Sequence, residues 1–439
     1  MESKTIHIGF DDTDSPKGMC TTYLAYRLVN LLKKEHVDFL DYPNLIRFNP
    51  NIPWKTRGNG AVGIKISTKN PEKIKKLVRQ LINKYSDTKN GANPGVVFFE
   101  QEKIPKHFNQ FSTKALWKLI KRNDAKIFIE KNNIESFYLG NGQGLVGAIG
   151  AISYQFSDNT FELLSYRSKS KFGLKRNIDK KLVKKMQEKT FPYTFNSYDN
   201  EKEKVLITPN GPDPVFFGVR GENPSILISA AESIRPKEKL DGYLIFKSNQ
   251  GTGDHLKNTI DVYNFEPYTS GTIKGVVESS PIVLRGGHVF FSINSKNKII
   301  SCCVYKPTKI THIAKNLIRG DKILIGGGVR KASKNFDRIF NIEFLKPLQL
   351  EKHITYRNPL CKSCNKRMKS KGVNQGFQCN KCGKRSKNKI TVVIPREISK
   401  KMYIPSVSAH RHLTKPIQRF NRINKKIHFS EKIQWCSKF

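Results

Sequence analysis

The chain is short of acidic residues, of long apolar runs and of cysteines outside one motif, and each shortage excludes something. Asp and Glu number 36 against 79 Lys and Arg, a net charge of +43 over 439 residues. A codon bias toward Lys raises the basic count without explaining the acidic deficit. A polyanion, nucleic acid above all, is therefore the expected partner, through counterion release and long-range steering. No stretch approaches the roughly 18 consecutive apolar residues of a membrane span, so neither a transmembrane helix nor a membrane partner is expected. The N-terminus runs directly into a strand pattern without a signal peptide, which makes the cytoplasm the expected location. Of eight cysteines, Cys20, Cys302, Cys303 and Cys436 form no framework and the other four are paired in sequence. That is cysteine used for metal in a reducing compartment, not for disulfides. The glycine-rich run Gly140–Ile152 lacks the Lys-Ser/Thr of a P-loop and does not follow a strand at the right spacing. Close packing of a loop and a helix is its expected use.

What is present is organised around Thr5–Leu32. An apolar run, Ile6–Phe10, has the character of a buried strand. Asp11, Asp12 and Asp14 follow, then the turn residues Ser15–Gly18, then Leu24, Leu28, Leu31 and Leu32 at helical spacing. The order strand, acidic loop, helix puts the carboxylates at the carboxyl end of a strand and Thr21 and Thr22 at a helix start. Carboxylates this close repel one another, and burial raises the pKa of at least one. A divalent cation removes the conflict, since Mg²⁺ prefers hard carboxylate oxygens shared with substrate phosphates, which a helix N-terminus also favours. The same residues serve equally as turn formers, with Thr21 or Thr22 as an N-cap. Residue types alone leave both readings open.

Two more polar turns adjoin apolar strands. Lys55, Arg57, Gly58, Asn59 and Gly60 precede a strand at Ala61–Ile66; they suit a phosphate or a flipped base, though residue types alone favour a hairpin loop with incidental charge. Val215–Val219 leads into Arg220, Gly221, Glu222 and Asn223 and a helical run ending at Ile234. Arg220 suits a phosphate and Glu222 or Asn223 a metal shell, with a surface Arg–Glu pair as the alternative. Helices are expected at Pro71–Tyr85, capped by Asn70, and at Lys114–Ile120; strands at Val96–Phe99, Lys126–Glu130, Phe161–Tyr166 and Tyr243–Phe246. From about Tyr268 the pattern is all β, with strands at Gly271–Val277, Val289–Ile293, Ile299–Val304 and Lys322–Arg330 and a helical turn at His312–Leu317. An OB-fold barrel fits, and Phe290, Phe291 and Tyr305 among Lys and Arg suit stacked single-stranded bases.

Cys361-x2-Cys364 and Cys379-x2-Cys382, fourteen residues apart, are the sharpest signal in the chain. Two such knuckles complete a tetrahedral shell of four thiolates with no open position, so a structural zinc is expected. The metal then forms part of the folding energy of a ribbon with little core. The expected architecture is multidomain α+β. Residues 1–103 form a kinase-like α/β catalytic domain that continues over 191–266. Residues 104–190 are a ferredoxin-like insert, 267–350 an OB-fold and 355–394 the zinc ribbon. Residues 395–439 are a basic tail that contacts RNA or packs poorly.

Taken in order, GFDDTDSPKGMCTTYLA, LIRFNPNIPWKTRGNGAVG, GLVGAIGAI, FFGVRGENP, GTGDHL, GGHVFFSI and the paired CxxC motifs resemble the archaeal tRNA-Ile agmatidine synthases, over about residues 5 to 390. The resemblance implies an ATP-dependent, C–N bond-forming ligase acting on the wobble cytidine of the CAU anticodon of tRNA-Ile. ATP phosphorylates the 2-oxo group of the cytosine and the amine of agmatine displaces the phosphate. The products are 2-agmatinylcytidine, AMP and phosphate, and the tRNA then decodes AUA. It also implies that Asp11, Asp12 and Asp14 are the ATP–Mg²⁺ motif and Thr21 an autophosphorylated threonine, with Thr22 its neighbouring ambiguity. On the same basis Lys55, Arg57 and Asn59 face base or phosphates, Arg220, Glu222 and Asn223 form a second nucleotide motif, and agmatine lies near Gly144–Ala151. The alternatives are a non-catalytic single-strand-binding protein built on the OB-fold and ribbon, and a different nucleotide-dependent RNA kinase or ligase.

Overall fold

The structure is a computed structural model and describes residues 2–334, 337–425, 427 and 429–438. It divides into two units. The first comprises Met1–Thr272, Gly326–Arg338 and Pro405–Phe439, the second Ile273–Ile325 and Ile339–Ile404.

The first unit begins with β1 (Lys4–Asp11), α1 (Thr21–Lys34), β2 (Asn44–Arg47), β3 (Gly60–Thr68), α2 (Pro71–Tyr85) and β4 (Gly95–Phe99). It continues with α3 (Phe108–Trp117), α4 (Arg122–Lys131), β5 (Glu135–Tyr138) and α5 (Gly144–Ser153). Ile6, Ile8 and Phe10 alternate along β1 with His7 and Gly9, and the strand period of two sends them to one face. There they join Leu24, Leu28 and Leu32 of α1 and Ile74, Val78 and Ile82 of α2 in one buried core. On the opposite face, glycines let a helix approach the backbone. A Cβ added to Gly9 would sit 2.2 Å from the Ala148 carbonyl oxygen, and one on Gly95 would sit 2.1 Å from the Leu145 nitrogen. Helix α5 therefore lies directly on the sheet, the close packing that its glycine content predicts. The strand expected at Lys126–Glu130 is instead part of α4. Ala125 and Ile129 are buried four residues apart while Ile127 between them is exposed, a helical period too short in sequence to distinguish from alternation.

Beyond α5 come β6 (Thr160–Arg167), α6 (Lys180–Thr190), β7 (Thr194–Phe195), β8 (Val215–Gly221), α7 (Pro224–Ile234) and β9 (Leu240–Ser248). Their sheet order is β9-β6-β8-β7. The fourth main strand lies beside the first, then the third, then the second, as in a ferredoxin-like βαββαβ unit. This element runs from 160 to 248, which corrects the boundaries expected for the insert (104–190) and for the second catalytic part (191–266). Residues 108–153 belong with the N-terminal half, because β5 pairs with β4 and α5 packs on β1. Composition shifts do not mark such a boundary, since strand partners are chosen by non-local pairing. β9 pairs in parallel with β2, Lys247 opposite Asn44, so both halves share one continuous sheet.

The segment from Pro405 onward, expected within a basic tail, is a strap built into this unit. Arg419 is fully buried, Leu413 joins a core cluster, and Trp435 and Cys436 join the core beneath β1. Cys436–Lys438 adds to β9, with Cys436 opposite Leu244. Its basic composition concealed this, because the carboxylates that receive Arg419 lie 197 and 261 residues earlier in the chain.

A barrel whose residues fall mostly in the second unit is built from β10 (Ser270–Val277), β11 (Val289–Ser295), β12 (Lys298–Val304), β13 (Lys322–Arg330) and β14 (Ile339–Gln349), with α8 (Thr311–Lys315) before β13. β10 pairs with both β13 and β11, Val277 opposite Ile293, which closes the barrel. Phe291 fills the barrel core while Phe290 and Tyr305 are partly exposed.

Candidate functional site

β1 ends at Asp11 and the backbone turns at Asp12, whose φ of 55° lies in the left-handed region. The turn brings Asp11, Asp12 and Asp14 to a cavity also lined by Lys55, Asn59 and Gly147. Asp12, Asp14 and Lys55 extend into an adjoining cavity of about 900 Å³ with Trp54, Asn93 and Arg122. Helix α5 starts over the acidic turn so closely that a Cβ on Gly147 would sit 1.9 Å from Asp11 Oδ2. Asp12 Oδ2 accepts the Asn93 N–H at 3.3 Å. Asp14 pairs with Arg57, which also donates to the Met19 carbonyl at 2.5 Å and lies 3.6 Å from Asp213. Among the described residues neither Asp11 nor Asp12 forms an ion pair.

The electrostatics follow from that imbalance. Burial, with the Asp12 and Asp14 charges, pushes the Asp11 carboxyl well above the ordinary carboxylate range. Burial and the Asp14 charge push Asp12 up to about 6. Asp14 is raised by burial against the opposing pull of Arg57. The half-buried, mutually repelling carboxyls of Asp11 and Asp12, once ionised, offer the hard oxygens that a divalent cation takes.

The structure gathers some of the sequence-predicted residues and separates others. Lys55 and Asn59 share the cavity with the three carboxylates, and Arg57 holds Asp14 from the same loop. Asn59 is oriented by donating to the Asn49 carbonyl at 3.0 Å. Arg220 donates to Glu162 at 2.9 Å and lines a separate cavity with Arg57 and Asn59. Glu222 and Asn223 do not join the site. Glu222 is buried against Arg419, at 2.7 Å, and Asn223 caps α7 by accepting the Ile226 N–H at 3.0 Å. The polar loop that suggested a metal shell is a helix cap and a buried ion pair. Thr21 opens α1 at 6% exposure and accepts a hydrogen bond from the Thr13 hydroxyl at 3.1 Å, and Thr22 is equally buried. Of the Gly144–Ala151 stretch, Val146 and Gly147 line the acidic cavity and the remainder is packed on the sheet.

Other residues gather here whose mutual contacts the sequence does not indicate, although Gln250 reads in sequence as a turn residue or a substrate edge. Arg47 ends β2 and faces Glu162 at 3.6 Å, while Gln250 and Arg220 hold that carboxylate as well. His412 of the C-terminal strap pairs with Gln250 at 3.0 Å. Burial, then Arg47 and Arg220, drive its pKa well below the usual value, so it is neutral. Trp54 is 66% exposed on the cleft wall, whereas Trp435 is buried and Trp117 is hydrogen-bonded to the Asp254 carbonyl. Gly58 was the one available hint, since a Cβ there would meet His412 Nε2 at 2.7 Å.

The ribbon is built as its spacing predicts. The Asn365 and Gly383 N–H groups close matching knuckles onto the Cys361 and Cys379 carbonyls, at 2.8 and 2.9 Å, with φ of 49° and 74° at the two turn residues. All four Sγ atoms lie within 4.8 Å of one another, which fits the sulfur separation of about 3.8 Å in a tetrahedral zinc–thiolate shell. A second acidic group, Glu72, Glu100 and Glu135, closes instead around the buried Lys75 ammonium.

Comparison with known proteins agrees with this geometry. Residues 7–74 match the TiaS TCKD domain, 142–255 the TiaS FLD domain and 358–398 the TiaS C-terminal zinc ribbon domain. The chain is 46% identical over 434 residues to the isoleucine-tRNA 2-agmatinylcytidine synthetase TiaS of Cenarchaeum symbiosum, covering 99% of this chain and 97% of that one. The counterpart from Methanocaldococcus jannaschii is 40% identical, with 95% and 99% covered. Among solved structures, the complex of TiaS with its isoleucine tRNA and ATP superposes with a TM-score of 0.87 at 33% identity, covering 97% of this chain and all of that one. The complex of TiaS with the same tRNA, AMPCPP and agmatine superposes at 0.85 and 31%, with the same coverage.

Proposed function

We propose, from the premise that this chain belongs to the isoleucine-tRNA 2-agmatinylcytidine synthetase family, that it uses ATP to attach agmatine to C2 of the wobble cytidine of a CAU-anticodon isoleucine tRNA, which then decodes AUA. The observation that carries the reading is the placement of Asp11, Asp12 and Asp14 at the end of β1 in one cavity with Lys55 and Asn59. A ring carbonyl oxygen is a poor leaving group until it is phosphorylated, and phosphoryl transfer asks the protein for positioning and charge neutralisation rather than covalent chemistry. The amine of agmatine then forms the C2–N bond as the C2–O bond breaks, and the oxygen leaves within phosphate. The second phosphoanhydride is cleaved by water, giving AMP.

Asp11 and Asp12, with Asp14 beside them, are the residues that would hold Mg²⁺, which when bound neutralises phosphate charge. Lys55 supplies a cation at the same wall, Arg57 keeps Asp14 in place, and Arg220 faces the neighbouring cavity. The exposed ring of Trp54 offers a stacking surface for an unstacked base. Thr21 acts as phosphoacceptor only when the start of α1 opens, because its hydroxyl is buried in the resting structure. A tRNA substrate is consistent with a cytoplasmic location, and among the described residues no helix is long and apolar enough to cross a membrane.

The test is incubation with labelled ATP, agmatine and a CAU-anticodon tRNA-Ile transcript. Agmatine incorporation is expected. Phosphate transfer indifferent to agmatine would indicate an RNA kinase, and RNA binding without ATP turnover a binding protein. Asp12→Ala should abolish turnover while sparing tRNA binding; equal loss of both would assign the acidic turn a structural role.

A further inference from the structure

The loop before β8, residues 209–214, is wound around one side chain. Arg176, from the segment between β6 and α6, directs all five of its N–H groups at that loop and its junction with β8. Nε donates to the Val215 carbonyl at 2.7 Å, and Nη1 to the Pro209 and Gly211 carbonyls at 3.0 and 2.9 Å. Nη2 donates to the Asp213 carbonyl at 2.8 Å and to Asp213 Oδ1 at 3.3 Å. We propose that Arg176 is a positioning residue for the reaction: it fixes the loop so that Asp213 meets Arg57, which in turn sets Asp14 at the acidic turn. The inference deepens the reading above and rests on it.

A planar guanidinium that answers acceptors all along residues 209–215 holds that span in one shape. Its own support is tied down as well. Arg167, at the end of β6, is forked on Glu238 at 2.6 and 2.7 Å and donates to the Leu174 and Lys175 carbonyls at 2.6 and 3.4 Å. The backbone beside Arg176 is therefore anchored to the sheet. What the wound loop presents is a carboxylate. Asp213 Oδ1 also accepts the Val215 N–H at 3.1 Å, while Oδ2 faces Arg57 Nη1 at 3.6 Å. Those two facing atoms are both buried, and among the described residues neither has a hydrogen-bond partner. Leaving opposite charges unjoined at that depth is costly, and a shift of about half an ångström joins them. Contacts in catalytic sites often tighten in this way when substrate binds. The other end of the same guanidinium, Nη2, is on Asp14 and the Met19 carbonyl. Arg57 thus stands between the loop of the ferredoxin-like element and the acidic turn, and the loop decides which way its fork points.

Asp213→Asn tests the relay with least disturbance. Its carbonyl oxygen can still accept from Arg176 and Val215, while an amide N–H₂ now faces Arg57. Arg176→Lys keeps the charge and satisfies at most three of the five acceptors. Thermal unfolding checks that each variant is folded. Each is expected to bind ATP about threefold or more weakly by calorimetry and to incorporate agmatine with kcat lowered about tenfold, tRNA affinity being unchanged. The cycle with Arg57→Lys identifies the route. In that background Asp213→Asn should change ATP affinity by less than about twofold, because the relay is already broken. Unchanged ATP affinity in both folded single variants, or losses that add in the Asp213→Asn, Arg57→Lys double variant, overturns the relay. A lower Tm with ATP affinity and kcat unchanged overturns it too and leaves Arg176 a structural residue. Wild-type protein that binds ATP but never incorporates agmatine refutes the assigned reaction alone, since the ATP cycle still decides the relay.

Discussion

Replacing Arg419 by alanine should unfold the strap and lower the stability of the first unit far more than an ordinary substitution of a basic residue. Arg419 is fully buried and makes six hydrogen bonds, one of them to the Asn159 carbonyl at 3.4 Å. Its Nε donates to Glu222 at 2.7 Å, Nη2 to Asp158 at 2.9 Å and to Glu222 at 3.3 Å, and Nη1 to Asp158 at 3.2 Å and to the Gly251 carbonyl at 2.8 Å. Truncation leaves two carboxylates with side-chain exposures of 4% and 7% facing one another. Removing one partner of such a buried ion pair costs about 3–5 kcal/mol. Lys415 stays 3.5 Å from Asp158 and softens the loss, which favours the lower end, about 3 kcal/mol. At about 2–4 °C per kcal/mol for a large domain this lowers Tm by roughly 6–12 °C. Glu222→Ala should produce a comparable drop, and the double variant should fall short of the sum by more than about 0.5 kcal/mol, because both remove the same contact. Thermal unfolding by circular dichroism reads the stability, and ATP KM at a permissive temperature reads the site. A Glu222→Ala protein with unchanged Tm and a raised ATP KM would refute this reasoning and return Glu222 to the nucleotide site.

Three other expectations can be checked with little material. The folded-state pKa of Asp12, near 6, and the raised pKa of Asp11 exceed the unfolded values. Stability associated with these groups is therefore fullest at low pH and declines as pH rises through about 6, where they ionise against one another. Mg²⁺ should restore it, so a Tm increase with millimolar Mg²⁺ is expected at pH 7.5 and little at pH 5; an equal increase at both would show that the ion binds elsewhere. Gly147→Ala should abolish agmatine incorporation and cost about 1–3 kcal/mol, because the new methyl would sit 1.9 Å from Asp11 Oδ2; an active, stable variant would mean α5 can retreat from the acidic turn. Cys364→Ser, or a strong chelator, should release one zinc and raise proteolysis within 355–394 while the melting of the first unit stays put, a result checked by metal analysis and limited digestion.

Local chemistry was legible in the chain and distant pairing was not. The strand, acidic turn and helix of residues 5–32, the close-packed glycine helix and the zinc knuckles all lie within short spans. Sequence spacing there already sets the geometry: period two for β1, period 3.6 for α1, and two residues between thiolates. Glu222 and Asn223 had the right residue types in the right kind of loop, yet a capped helix and a buried arginine claimed them. Lys126–Glu130 was too short a window to separate the two periods. The ferredoxin-like boundaries and the strap depend on partners as far as 261 residues away, which no local pattern encodes.

By itself the sequence determined the acidic turn, the zinc ribbon, the barrel and a polyanionic partner. Only the tertiary structure decided that Arg47, Glu162, Gln250 and His412 come together in one hydrogen-bonded and ionic network, and that a basic C-terminus is a buried strap. The reason is physical: a charged side chain is read as solvated until its burial and its partners are known, and both are properties of the folded chain.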